Sequence, residues 1–327
     1  MSHGAGGLEM TALIDKVFLS RYGNAAFRGD DSATLQLGAQ HLALTTDSYV
    51  VTPIFFPGGD IGRLAVAGTV NDLLTAGARP LALSASFIIE EGLPIETLER
   101  IAQSMRETAE ECGVAIVTGD TKVVPRGSAD QVFITTTGVG EVLRLGISGA
   151  AAAPGDKIIL SGSVGDHGAT VMLARENLLE GTSLSSDAAP LAAMVLNLLE
   201  QGCEIHAMRD PTRGGIASSL NEIARQSQAC LEIEESAVKV KPGVAAACEA
   251  LGLDVFKVAN EGKMLIIVAP GDAQRALDIV RRSPYGEDAG IIGEVKEGPS
   301  GRVQVRTTIG TARILDPPSG ELLPRIC

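Results

Sequence analysis

The chain has 327 residues, with 40 acidic against 27 basic side chains and a net charge of −13. There is no Lys/Arg-rich block, aromatic content is only 3% and Trp is absent, which argues against nucleic acid and anionic membrane surfaces as partners. No apolar run reaches the roughly 18 residues that span a bilayer, and Met1–Gly7 lacks the basic-then-apolar pattern of a signal peptide. The cysteines, Cys112, Cys203, Cys230, Cys248 and Cys327, form no C-x-x-C pair and are odd in number, which predicts reduced thiols in a cytoplasmic protein.

In chain order, Leu8–Arg21 reads as a short amphipathic helix, and Ala33–Leu37 and His41–Thr46 as strands. A helix over Ile61–Ala76 stops at Gly77, with Pro80 beyond. Leu81–Ile89 is a strand, and Ile95–Cys112 a helix opened by Pro94. Val114–Thr118 is a strand that delivers Gly119-Asp120-Thr121-Lys122 at its end, and Gln131–Gly138 is another. Gly149–Gly155 is small, uncharged and closed by Pro-Gly, which marks a boundary. The second half restarts with a strand, Lys157–Leu160, and a glycine-rich turn, Ser161–Gly168. A helix to about Leu179 and one over Leu191–Gln201 follow, and a third begins after Asp210-Pro211-Thr212-Arg213-Gly214-Gly215. Leu231–Ile233, Met264–Ala269 and Gly290–Val295 read as strands; Val244–Leu251 and Ala273–Arg282 read as helices. Strands and helices do not alternate strictly, so the expected class is α+β, with mixed α/β units in domains 1–148 and 149–316 and a tail over 317–327.

Acidic groups recur at predicted strand ends and turns in the first half: Asp30 and Asp31, Asp47, Asp72 after Asn71, and Asp120. Converging carboxylates without matching lysines suit Mg²⁺ shared with substrate phosphates, whereas each Asp alone also suits a turn cap. The start His3-Gly4-Ala5-Gly6-Gly7 has bare backbone N–H groups that could cover phosphates, or be a loose end. No Walker-type or dinucleotide-fold glycine pattern occurs. Lys122 and Glu261 are candidate catalysts or solvated charges. His167 and His206 lack metal-ligand spacing and read as structural or capping groups. Asp210–Gly215 precedes a helix and suits either an anion site or an N-cap. The final segment, Pro317–Cys327, is rich in Pro, Ser and Gly and ends on a thiol. It reads as a flexible arm carrying a nucleophile, or as a terminus that happens to end in Cys.

Taken together, Gly29-Asp30-Asp31, Thr46–Val50, Phe55–Gly59, Asn71-Asp72, Val117–Val124, Gly165–Gly168, Arg213–Gly215, Asn260–Lys263 and Pro324-Arg325-Ile326-Cys327 resemble the carbamoyl dehydratases of nickel–iron hydrogenase maturation, the HypE family. The resemblance runs in order over essentially the whole chain, without departure at these motifs, and the terminal Pro-Arg-Ile-Cys is its most specific element. It implies the PurM-like fold shared with aminoimidazole ribonucleotide synthetase, thiamine-monophosphate kinase and selenophosphate synthetase, with the N-terminal sheet pairing across a homodimer. It implies ATP-dependent conversion of an S-carboxamide on Cys327 into a thiocyanate, the source of the cyanide ligand of the hydrogenase iron. The carbamoyl group would come from the carbamoyltransferase HypF and the product would pass to the HypC–HypD complex. By resemblance Lys122 and Glu261 are the base candidates. ATP would meet Gly4, Gly6, Gly7, Asn71, Asp72, Asp120 and Thr121, and Mg²⁺ would meet Asp30, Asp47, Asp72 and Asp120. A selenophosphate synthetase-like enzyme is the alternative within the superfamily, disfavoured by the lack of a cysteine near the N-terminus. A non-catalytic thiol carrier is the alternative outside it.

Overall fold

The computed structural model describes residues 7–23, 29–319 and 326–327. The expected first helix is present as α1 (Leu8–Leu13), a π-helical stretch (Ile14–Leu19) and a last turn, α2 (Ser20–Tyr22). The N-terminal half then builds β1 (Ala33–Leu37), β2 (Gln40–Tyr49), a small hairpin of β3 (Phe55–Phe56) and β4 (Gly59–Asp60), α3 (Ile61–Thr75), β5 (Ala78–Glu90), α4 (Ile95–Cys112), β6 (Ala115–Val124) and β7 (Val132–Val142). Five of these strands form one sheet in the order β1-β2-β7-β5-β6, antiparallel except for the parallel β5–β6 pair. Helix α3 is buried on nearly every side; Asp60 caps it by accepting from the Arg63 backbone N–H. Helix α4 is amphipathic, burying Ile101, Met105, Thr108 and Ala109, and it ends on Gly113 in the left-handed region.

One expectation in this half is corrected. The strand after α4 does not stop at Thr118 but runs to Val124, so Asp120 and Lys122 lie within β6 and not at its end. The parallel ladder to β5 is maintained because Gly119 lets the backbones approach: a Cβ there would stand 2.0 Å from the carbonyl oxygen of Ala85. Strand β6 is an edge, exposed along almost its whole length, with Val117 and Val123 more than half exposed.

The C-terminal half contains β8 (Lys157–Leu160), α5 (Asp166–Arg175), α6 (Ala192–Glu200), β9 (Ile205–Arg209), α7 (Gly215–Ser227), β10 (Cys230–Glu234), α8 (Pro242–Leu251), β11 (Leu265–Val268), α9 (Ala273–Arg282), β12 (Gly290–Lys296), β13 (Arg302–Arg306) and β14 (Ala312–Ile314). Its seven-stranded sheet has the order β14-β13-β10-β12-β8-β11-β9. Helix α5 ends at Arg175, four residues short of the expected Leu179. Strands β9, β13 and β14 were not anticipated: they are short, and polar residues interrupt their apolar positions, so only pairing within the sheet makes them strands.

The largest apolar core crosses the boundary between the halves. Tyr49, Ile61, Leu64 and Leu74 pack in one cluster with Leu191, Val195, Met264 and Ile266. Arg63 adds a polar brace, donating from Nε to Ala188 O at 2.7 Å and from Nη2 to Tyr285 Oη at 3.1 Å. This packing and the Arg63 brace hold the two halves together, and the polar residues described next line the cleft between them. Among the described residues no helix is long and apolar enough to cross a membrane.

Candidate active site

The cleft is lined by carboxylates that sequence distance separates widely. Thr45, Asp47 and Tyr49 alternate on the face of β2 that meets α3, and Thr45 Oγ1 donates to Asp72 Oδ2 at 2.8 Å. Asp31 arrives on the loop before β1, held by Arg209, whose Nε stands 3.3 Å from Asp31 Oδ1 and whose Nη2 donates 2.7 Å to Gly29 O. Arg209 also pairs with Glu222. Asp210 follows Arg209 at the end of β9 and is buried. Burial raises the pKa of Asp72 well above the usual carboxylate value, and Asp210, Asp31 and Asp47 push it further. Asp210 is raised well above its ordinary value by burial, then by Asp31 and Asp47. Asp31 reaches about 6, because burial and the neighbouring carboxylates outweigh Arg209. Asp31 Oδ2 is buried with no hydrogen-bond partner. This is a site with more negative charge than its protein surroundings neutralise.

Glu261 reaches the same cleft from the loop before β11. Its backbone N–H donates to Asp187 Oδ1 at 3.1 Å, and a Cβ on Gly262 would stand 1.9 Å from Asp187 O, so glycine is required for this approach. The preceding Asn260 is completely buried. Its Oδ1 accepts from the Gly165 N–H at 2.7 Å, and its Nδ2 lies 3.0 Å from Pro211 O and 3.1 Å from Val258 O. One amide thus ties together the turn before α5, the Asp210 loop and the Glu261 loop. Glu261 is 3% exposed, and its Oε1 has no hydrogen-bond partner. Burial, then Asp210 and Asp47, hold its pKa well above the ordinary range, with Arg213 opposing them.

Cys327 lies in this cleft. Ile326 is 2% exposed within the shared core, and the Cys327 carbonyl oxygen accepts from the Val50 N–H at 3.0 Å. The thiol is therefore not solvent-facing, as an extended arm would have it, but half-buried against the core. Burial and then Glu261 raise its pKa well above the usual thiol value, with Arg213 opposing them. The other four cysteines are also unpaired thiols; Cys203, Cys230 and Cys248 are buried.

The structure therefore brings Asp47, Asp72, Glu261 and Cys327 together. Gly7 lines a neighbouring cavity of about 230 Å³ with Asp31, Arg209, Asp210 and Arg213. Asn71 is adjacent but spent: its Nδ2 donates to Ala189 O at 3.1 Å and its Oδ1 accepts from Leu191 N at 2.9 Å, stitching α3 to the second half. Asp30 accepts from Ser148 Oγ at 2.8 Å and Gly149 N at 3.1 Å. Gly4 and Gly6, like Pro324 and Arg325, lie outside the described residues. Asp120, Thr121 and Lys122 are not brought to the cleft within one chain. Asp47 is level with Thr136, Ala85 and Gly119 across β2, β7, β5 and β6, so Asp120, one position on, points from the opposite sheet face. The separation is three ladder steps, roughly 14 Å. There Asp120 is fully exposed and held below the usual carboxylate range, first by its hydrogen bond from Lys122, whose Nζ lies 2.6 Å away.

His167 reads from sequence only as a structural or capping group. Asp31 is among the acidic turn residues read there, and Asp210 and Arg213 lie in the run read as an anion site or N-cap, but nothing in that run says that Asp210 faces Asp72.

Comparison with known proteins identifies the family. Residues 29–142 match the family model described as AIR synthase related protein, N-terminal domain, and residues 153–306 match its C-terminal domain. The carbamoyl dehydratase HypE of Rhizobium leguminosarum bv. viciae is 52% identical over 330 residues, covering 100% of this chain and 94% of that protein. A crystal structure of the hydrogenase maturation protein HypE in complex with ATP is 48% identical with a TM-score of 0.86, covering 99% of this chain and 98% of the other. A HypE–HypF complex structure superposes with a TM-score of 0.88 at 48% identity, covering 94% of this chain and 100% of that one. With two domains of this PurM-like fold, and about half its residues identical to such relatives over their whole length, the chain belongs to the HypE family of carbamoyl dehydratases.

Proposed function

We propose that this chain accepts a carbamoyl group on Cys327 Sγ and, with ATP, dehydrates it in the interdomain cleft to a thiocyanate, the source of the cyanide ligand of a nickel–iron hydrogenase. The observation that supports this reading is the docked chain end, with the Cys327 thiol half-buried and Glu261, whose Oε1 is buried and unpartnered, the largest charged influence on it. A passive carrier needs only an exposed thiol; here the thiol is half-buried within the influence of a candidate base.

Dehydration removes the carboxamide oxygen together with both N–H protons. ATP supplies the phosphoryl group that lets this oxygen leave as phosphate, with ADP as the other product. Glu261 Oε1 is the acceptor for one N–H proton, and the other leaves on the departing phosphate. Burial, then Asp210 and Asp47, raise its proton affinity, which suits a general base, with Arg213 opposing them. Mg²⁺ fits the donor set of Asp31, Asp47, Asp72 and Asp210, where it would neutralise charge on the triphosphate. Among the described residues no group of three or more His, Cys, Asp or Glu side chains is arranged to hold a metal ion by itself.

Lys122 and Asp120 enter this scheme only through a second copy of the chain. The sheet face that carries them also presents Leu44 and Ile88 to solvent, and β6 is an open edge. A homodimer formed on this face, with Lys122 of one copy serving the cleft of the other, gives both residues a role. A HypF-type carbamoyltransferase is the donor this reading assigns, an iron-bearing HypC–HypD complex the acceptor, and the cytoplasm the compartment.

The test is mass spectrometry of the terminal peptide after incubation with a HypF-type transferase, carbamoyl phosphate and ATP. The expected sequence is gain of a carboxamide on Cys327 and then, only with ATP, loss of one water. Water loss without ATP, or a carboxamide on another cysteine, would overturn the reading.

A further inference from the structure

His167 plays no part in the scheme above, yet it makes the polar contact that holds the thiol-bearing end of the chain from the C-terminal half. It sits at the start of α5, completely buried, with its ring edge-on to Phe56 at 5.5 Å between centroids. Its Nε2 lies 2.6 Å from the carbonyl oxygen of Ile326, and its Nδ1 lies 2.8 Å from Ser186 Oγ. A carbonyl oxygen can only accept, so Nε2 carries the hydrogen and donates. In the neutral ring Nδ1 then accepts the Ser186 hydroxyl proton, while Ser186 Oγ accepts from the Ala188 N–H at 3.1 Å. Ser186 N–H in turn donates to Pro57 O at 2.8 Å, so the relay is anchored in the β3–β4 hairpin of the other half. Burial holds the imidazole pKa below its ordinary value, although Asp187 and the Ile326 carbonyl pull it upward, which agrees with a neutral ring.

We infer that His167 is a positioning residue for the dehydration step: its Nε2–H latches the Ile326 carbonyl, fixing the Cys327 backbone so that a group on Sγ is presented to Glu261. Two consecutive carbonyls are gripped, Ile326 O by His167 and Cys327 O by Val50, one from each half of the molecule. With both held, only the torsions within the Cys327 side chain remain to place the carboxamide, so the ordering cost of reaching a reactive geometry is met largely on docking. The latch is non-covalent and releases the thiol for loading by the transferase. The inference rests on the reading of Cys327 as the group-bearing residue, and its first measurement does not depend on that reading.

That measurement is the alkylation rate of Cys327 in the unloaded full chain, read on the terminal peptide. Cys203, Cys230 and Cys248 report whether the fold is intact. His167→Ala and His167→Phe lack the donor, whereas His167→Gln places an amide N–H near the position of Nε2. We expect roughly five- to tenfold faster alkylation of Cys327 in the Ala and Phe variants, the scale of one buried hydrogen bond, and near wild-type protection in the Gln variant. The second measurement is a single-turnover assay after carbamoyl loading. Loading should be unchanged or faster in the Ala and Phe variants and thiocyanate formation slower by a similar factor, with Gln restoring it. Wild-type alkylation in the donor-less variants, faster alkylation without slower dehydration, or a Gln variant no better than Ala would each overturn the latch. Failure of both donor-less variants to protect the buried cysteines would make His167 a core brace and overturn it equally. A terminal peptide that never gains a carboxamide in the wild type would instead overturn the carrier role of Cys327, and the alkylation result would stand apart from it.

Discussion

The backbone N–H of Val50 donates 3.0 Å to the carbonyl oxygen of Cys327, joining the last residue of the sequence to the strand that carries Thr45 and Asp47. Because Ile326 is buried beside it, the thiol is docked against the cluster of carboxylates and not free in solvent. Loading and dehydration thus call for two positions of the same residue.

Glu261→Gln should accept a carbamoyl group on Cys327 normally and stall before water is lost. The amide keeps the side-chain volume but cannot take a proton, so a loss of at least about 100-fold in thiocyanate formation is expected. Thermal stability should be unchanged or slightly higher, because a buried group disfavoured as an anion has been made neutral. A rate close to wild type would remove Glu261 from the base role.

Asp72→Asn should retain the fold. Asn can still accept the Thr45 hydroxyl proton, and one charge leaves a cluster in which the carboxylates repel. The rise in melting temperature on adding Mg²⁺ and ATP should shrink strongly, since stabilisation by a ligand scales with its affinity. An undiminished rise in calorimetry would exclude Asp72 from the nucleotide–metal site.

Lys122→Ala and Glu261→Gln should complement each other. If each cleft uses Glu261 from one copy and Lys122 from another, mixing the two inactive proteins under subunit exchange should restore about a quarter of wild-type activity by random pairing. Mixtures as inactive as their components would show that both residues must come from one chain, or that Lys122 has no role in the cleft.

His206 should give a pH-dependent contribution to stability away from the cleft. Burial opposes its charge, but the hydrogen bond and charge of Asp156, whose Oδ2 is 2.7 Å from Nδ1, hold the pKa above the ordinary imidazole value of 6.5, with Glu204 adding to the effect. The folded state thus binds the proton more tightly than the unfolded chain. The contribution is fully present below about 6.5 and is lost as pH rises through the folded-state value. Denaturation of the wild type and His206→Asn across this window should show stabilities that converge on the alkaline side. A constant difference between them would contradict the assignment.

Much of the molecule is legible in the linear sequence because its causes are local. Period and caps place α3, α4, α8 and α9. The acidic turns, Glu261 and the final Cys are visible as unusual residues in unusual places, and the resemblance of their motifs leads to the family. Tertiary structure alone decides which of them meet. Asp120 and Asp47 read alike in sequence, but β6 continues past Gly119, and the period-two alternation of a strand turns Asp120 to the far face of the sheet. Asp31 reads as a candidate metal ligand or a turn cap and Asp210 as part of an anion site or an N-cap, but only pairing of β9 at one sheet edge and the grip of Arg209 on the Gly29–Asp31 loop bring both to Asp72. His167, lacking metal-ligand spacing, offers no linear signal, because its partner is a backbone carbonyl 159 residues away. Cys327 reads as an exposed arm because prolines and glycine surround it, but burial of Ile326 and hydrogen bonds from the His167 side chain and the Val50 backbone dock it, and these contacts exist only once both halves have folded around the cleft.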